Sequence, residues 1–119
     1  MQYMMLIHQV DAPTPLDQEA WAKLSEEEQQ SVYADYQAIN QDSGVTPGVG
    51  LGPAETATTV RVQDGRTLTT DGPFAETKEA LGGFYLFEAD NLDDAIELAA
   101  RIPAARLGGA IEVRPVVEY

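Results

Sequence analysis

The sequence predicts an α+β fold, a ferredoxin-like two-layer sandwich whose mainly antiparallel sheet carries two main helices on one face. Three observations support this. Tyr3 to His8 and Gly83 to Glu88 are apolar at consecutive positions, the pattern of strands covered on both faces. Val32, Tyr33, Tyr36 and Ile39 recur at helical spacing, as do Leu92, Ala95, Ile96, Ala99 and Ile102, so each helix has one apolar stripe. Between the helices, two β-branched runs flank Asp64-Gly65, a hairpin signature.

In chain order, Tyr3 to His8 is a central strand. Thr14 can cap a short helix with Pro15 at its first position, carrying Ala20, Trp21 and Leu24. Ser25, with Glu28 three residues on, is a capping-box pattern that starts a second, longer helix, and Gly44 is its expected left-handed terminator. Val45 to Pro53 holds three glycines and two prolines and reads as a short extended segment or a loop that lines a pocket. Thr58 to Gln63 and Arg66 to Thr70 are the arms of the hairpin, and Gly83 to Glu88 is the second strand apolar on both sides. Asp90 is the expected cap of the last helix, with Asp93 at its third position, and Pro103 ends it. Ala110 to Val117 alternates, with Ile111 and Val113 on one face and Glu112 and Arg114 on the other, as a half-exposed strand does.

Helices on one face leave the other face of the sheet bare, yet two strands are apolar on both faces. A second copy of the same sheet is the simplest cover, so a homodimer packed through the sheet faces is expected. At 119 residues, one domain spanning 1–119 is expected. The net charge of −13, from twenty acidic residues against seven basic ones, argues against nucleic acid or an anionic membrane as partner. The chain contains no cysteine, which removes disulfides and thiolate chemistry and fits a reducing, cytoplasmic setting. Met1 to Val10 lacks a basic leader and a small-residue cleavage site, and reads as a strand instead of a targeting segment.

The densest chemistry lies just after the hairpin. Gly72-Pro73 forces a turn that would fix Asp71 and Phe74 at a sheet edge. Asp71 either bonds its own turn backbone or acts as a base in a pocket lined by Phe74. Glu76, Lys78 and Glu79 add two acids and one of two lysines: Lys78 either pairs with a carboxylate or binds an anionic ligand, and Glu79 reads as part of a solvated charge run. His8, the one histidine, is either a packing residue or a partner for Asp71. Tyr33 and Tyr36 fall on the stripe facing the sheet, each able to offer a hydroxyl to a ligand or to the core. No nucleotide fingerprint, metal-ligand histidine cluster or nucleophile elbow is present, so no cofactor and no metal are expected.

Asp71-Gly72-Pro73-Phe74-Ala75-Glu76-Thr77-Lys78-Glu79, then Leu81-Gly82-Gly83-Phe84-Tyr85, closely resembles the motif that names the DGPF subgroup of the YCII-related proteins. Thr56 to Val62 and Leu92 to Pro115, including Ala99-Ala100-Arg101-Ile102-Pro103, look like that subgroup too. The resemblance implies a ferredoxin-like fold that dimerises into an α+β barrel-like assembly through its sheets, with a cleft in each protomer. It also implies bacterial relatives encoded beside sigma factors, and hence a regulatory association. More distant members are similar to small lyases or dehydrochlorinases of aromatic breakdown, for which a His-Asp pair is proposed. In that likeness Asp71 takes the aspartate's place and Tyr33 falls near the family's helix-borne histidine, so Tyr33 or Tyr36 would replace the imidazole, although an ordinary tyrosine titrates near 10. Two functions follow as expectations: a small enzyme-like homodimer with acid/base chemistry on a polar or aromatic molecule, or a noncatalytic ligand-binding or regulatory module.

Overall fold

The computed structural model describes residues 1–9, 13–14, 18–72 and 81–118. Along the chain run β1 (Gln2–His8), α1 (Gln18–Ala22), α2 (Glu26–Gln41), β2 (Val45–Gly50), β3 (Thr58–Gln63), β4 (Arg66–Asp71), β5 (Leu81–Glu88), α3 (Leu92–Arg101) and β6 (Ala110–Pro115). The main sheet has the order β2-β5-β1-β6 and every pairing in it is antiparallel. This is the strand order of a ferredoxin-like sandwich. The hairpin β3-β4 forms a two-stranded sheet of its own, inserted between the second and third strands of that core.

The glycine-rich stretch takes the extended of its two expected forms and supplies the edge strand of the main sheet, while the hairpin, expected as part of the mainly antiparallel sheet, stands outside it. The reason is a close approach: a Cβ on Gly48 would fall on the ring of Tyr85, so only glycine lets β2 pass over β5 at this point. The ladder between these strands shifts register between Thr46 and Val49.

Alternation along β1 and β5 splits the sheet into two faces. Tyr3, Met5 and Ile7 pair with Phe87, Tyr85 and Gly83, face the helices, and with Ile39, Ala95, Leu98, Ala99 and Ile102 build the core. Met4, Leu6, Phe84 and Leu86 point to the opposite face and are only half-buried, because no described helix lies over them. Glu112 and Arg114 on β6 share that open face, across from Leu6 and Met4.

The capping box of α2 forms as expected: the Glu28 N–H donates to Ser25 Oγ at 3.1 Å and the Ser25 N–H to Glu28 Oε1 at 3.4 Å. Pro15, the first helical position expected after the Thr14 cap, lies outside the described residues. Gly44 is not left-handed. Asp42 ends α2 and accepts the Gly44 N–H, while a Cβ at Gly44 would come within 2.8 Å of the Phe87 ring.

In α3 the cap is Asn91, one residue after the expected Asp90, with its side chain accepting the Asp94 N–H at 2.9 Å. Its stripe centres on Ala95, so Leu98 is buried while Leu92 and Ile96, each 50% exposed, flank it. The hairpin turn is as read from Asp64-Gly65: both residues take positive φ, 52° and 75°, as a tight two-residue hairpin turn requires.

Candidate functional site

A half-open cavity of about 240 Å³ lies on the helix side of the sheet, at its β2-β5 end. Its floor is Ile7, Gly82, Gly83 and Tyr85, one wall is the β2 segment from Gly48 to Leu51, and the other is Val32 and Tyr36 of α2 with Pro103, Ala104 and Leu107. The expectation that the glycine-rich stretch lines a pocket is met here. Gln9, Pro13 and Thr14 close the end beyond β1.

Two tyrosines give the cavity its polar edge. The rings of Tyr36 and Tyr85 stack at 6.5 Å between centroids with 21° between planes. Burial first, then the neighbouring Tyr85, push the Tyr36 hydroxyl up to about 12, against the opposing influence of Gln9 and Arg106. Burial raises Tyr85 as well. A side-chain hydrogen bond from Gln9 to the Tyr36 hydroxyl works the other way, favouring the phenolate, and is outweighed by burial. The Gln9 side chain can lie there because position 82 is glycine: a Cβ would collide with its amide. Arg106, near Tyr36, is held by Asp35 at 2.6 Å on the outer side of α2.

The raised Tyr36 value sets a pH dependence. The unfolded phenol titrates near 10, so between pH 10 and about 12 the folded state holds the extra proton and stability falls as pH rises. The loss at the top of that window is expected to be no more than about 2 kcal/mol, since the ring is partly solvated. Denaturant titrations at stepped alkaline pH check this. Tyr36→Phe should flatten the slope, and a slope unchanged by the substitution would assign the effect elsewhere.

The sequence candidates are scattered by comparison. Tyr36 lines the cavity, but Tyr33 is 57% exposed and does not meet the sheet. Tyr33 packs edge-on against Trp21 at 5.5 Å, and with the Gln29 amide donating to the Trp21 carbonyl at 2.8 Å it fastens α1 to α2. Asp71 closes β4 opposite Thr58, with an exposed side chain outside the cavity lining. Phe74, Glu76 and Lys78 lie outside the described residues.

His8 is also outside the cavity lining. Its Nε2 meets Glu112 Oε1 at 3.1 Å, and Glu112 in turn accepts from Arg114. Arg114 first and His8 second hold the Glu112 carboxyl below the usual carboxylate range. His8 Nδ1 is buried without a partner among the described residues. The described contacts thus bring His8 to Glu112 and Tyr36 to Tyr85, and join none of Asp71, His8, Tyr33 and Tyr36 to each other. Gln9, Tyr85 and Gly82 are the cavity residues that sequence reasoning did not single out as site residues.

Among the described residues no group of histidine, aspartate and glutamate side chains is arranged to hold a metal, and no helix is long and apolar enough to cross a membrane.

The YCII-related domain matches residues 1–119. The chain belongs to the YCII-related family. An uncharacterized protein of Rhizobium meliloti (strain 1021) is 37% identical over 124 residues, covering 100% of this chain and 94% of that protein. The fold of this YCII-related chain is similar to that of 5-chloro-2-hydroxyhydroquinone dehydrochlorinase from Burkholderia phenoliruptrix AC1100, solved in complex with 2,5-dihydroxybenzoquinone. The TM-score is 0.50 at 16% identity, over 100% of this chain and 96% of the other. At that identity the likeness speaks to the fold.

Proposed function

We propose that this YCII-related protein binds a small, flat molecule with a ring and an oxygen substituent, a phenol or a quinone, in the cavity between α2 and the β2-β5 end of the sheet. The observation that carries this reading is the Tyr36 hydroxyl, anchored by Gln9 and kept protonated in an otherwise largely apolar hollow. A cavity of about 240 Å³ has room for one substituted ring, since roughly 150 Å³ already admits benzene. Tyr36 and Tyr85 offer ring faces for stacking, and the Tyr36 O–H donates to the ligand oxygen. The dihydroxybenzoquinone in the dehydrochlorinase belongs to this chemical class, which supports the choice of ligand without transferring the activity.

A tyrosine protonated up to about 12 is a donor at neutral pH, and the described lining holds no carboxylate or imidazole to act as base. Binding is the function the geometry supports best. It fits a ligand-sensing module of the DGPF subgroup, with a regulatory partner such as a sigma factor. Isomerisation or elimination would need a base, for which Asp71 is the first candidate and His8 the second. In this proposal the protein is a homodimer packed through its open sheet face, where Met4, Leu6, Phe84 and Leu86 await cover.

A thermal-shift and ligand-detected NMR screen of hydroquinones, catechols and benzoquinones tests the reading. Binding should raise Tm, and Tyr36→Phe should weaken it about fivefold to tenfold, the worth of one hydrogen bond of about 1 kcal/mol. If no member of the panel binds at millimolar concentration, or if Tyr36→Phe binds as tightly, the reading is wrong. Should any ligand be converted, Asp71→Asn decides the second function: lost turnover with retained binding makes Asp71 the base.

A further inference from the structure

We infer that the cavity takes its ligand only in the un-ionised form, binding a phenol or a quinone and rejecting the same ring once a proton is lost, and aromatic carboxylates with it. This selectivity rests on the phenol or quinone reading above and narrows it by charge. None of the described lining residues is Lys, Arg, His, Asp or Glu, although 23% of the chain is charged. An anion moved from water into a largely apolar hollow keeps its desolvation cost unless a cation or several donors offset it. The described lining offers uncharged donors only.

A cation stands close and is held off. Arg106 lies in the chain between two wall residues, Ala104 and Leu107, yet its Nη2 donates to Asp35 Oδ2 at 2.6 Å on the outer side of α2. A guanidinium and a carboxylate at that distance present almost no net charge to the cavity. Of the four influences on the Tyr36 hydroxyl, that of Arg106 is the weakest. Asp35, next to Tyr36 in α2, is thus a positioning residue that keeps the guanidinium outside.

The tyrosine at the cavity's edge meets the environment a guest would meet. Tyr36 stays protonated up to about 12, and burial is the largest cause. Against about 10 for an ordinary phenol, that is roughly a hundredfold bias toward the neutral form. A ligand phenol beside it finds the same shortage of water. The Tyr36 O–H donates more strongly to a phenolate than to a neutral oxygen, which offsets part of the bias and leaves a discrimination of at least about tenfold. The net charge of −13 adds a repulsion that acts at longer range and is screened by salt.

Among the described residues, few ionisable groups stand around the cavity. α2 brings Tyr36 and Asp35, β5 brings Tyr85, whose hydroxyl burial also raises, and Arg106 comes from the segment before β6. β2 carries no ionisable side chain. On β1, His8 precedes Gln9 but turns to the open face of the sheet, where it meets Glu112. Any titration of the protein itself acts on all ligands alike, so affinities are read as a ratio to a ligand that stays neutral.

Isothermal titration of the full chain with 4-nitrophenol, which ionises near neutral pH, tests this beside 4-methoxyphenol, an ordinary phenol that ionises near 10. From about pH 5 to about pH 9 the dissociation constant of nitrophenol should rise at least about tenfold relative to that of methoxyphenol. The gap should persist in 1 M salt, where screening leaves a reach of about 3 Å. It should narrow about threefold in Asp35→Asn, which frees Arg106 and removes a negative charge beside Tyr36, while methoxyphenol binds that variant as it binds wild type. A nitrophenol that keeps its ratio to methoxyphenol across the range overturns the inference, as does a gap that vanishes in 1 M salt, which would belong to the net charge. A gap unchanged in Asp35→Asn overturns the part given to Asp35. If neither ligand binds at any pH, the phenol or quinone reading itself fails and this selectivity falls with it.

Discussion

Gly109→Ala is expected to cost about 3 kcal/mol of stability, at the upper end of what overpacking does, and to lower Tm by roughly 12 °C. Gly109 is the turn residue that brings the chain from Pro103-Ala104 back to β6, and its N–H donates to the Ala104 carbonyl at 2.9 Å. A methyl group there would overlap the His8 carbonyl oxygen and stand 3.0 Å from the Ala104 carbonyl oxygen. Both obstacles are backbone. Neither can rotate away as a side-chain tip would, so relief requires prising β6 from β1 at the His8-Ala110 pair. The same movement would disturb the His8-Glu112 contact. Differential scanning calorimetry of Gly109→Ala beside Gly50→Ala checks this, because a Cβ at Gly50 meets nothing within 4 Å. Equal Tm values for the two variants would show that the turn yields freely.

The glycines also explain what was and was not legible in the sequence. Local signals survived: the Asp64-Gly65 turn, the Ser25-Glu28 box and the strands apolar on both faces all depend on neighbours a few residues away, and all form as read. The Asp90 cap was off by one because Asn91 offers an equivalent oxygen one position nearer the helix. Tyr33 went wrong by angle: it lies about 100° round the helix from Val32, whereas Tyr36 and Ile39 lie within about 40°. At the stripe's margin it met Trp21 instead of the sheet.

The cavity was the hardest part to read. Tyr36 was visible on its helix, but Gln9 is an unremarkable polar residue at a strand end, and its partnership with Tyr36 across Gly82 is made entirely by the tertiary fold. The Gly82-Gly83 pair was the one available signal. A Cβ at Gly83 would come within 2.6 Å of the Val49 carbonyl oxygen, so this pair marks where β2 and the Gln9 side chain press on β5. Glycine in β2 reads locally as a strand breaker, yet here it permits the strand.

That contact also provides the sharpest test of the cavity. Gly48→Ala is expected to abolish detectable binding of phenols and quinones, a loss of at least about tenfold, while costing only about 1–2 kcal/mol of stability. The added methyl would fall on the Tyr85 ring, whose nearest atoms are Cε1, Cζ and Cδ1, and side-chain atoms can move where carbonyl oxygens cannot. Since Gly48 and Tyr85 both border the cavity, the ring can yield only by breaking its stacking on Tyr36 or by entering the space a ligand would use. Either response destroys the site while the Met5-Tyr85 ladder and the core beneath it persist. Val62→Ala, on the exposed hairpin outside the cavity lining, should bind as wild type does. Isothermal titration with a ligand from the screen, paired with calorimetry on each variant, reads both quantities. Undiminished binding by Gly48→Ala would place the ligand away from Tyr85, and the phenol or quinone site would have to be sought outside this cavity.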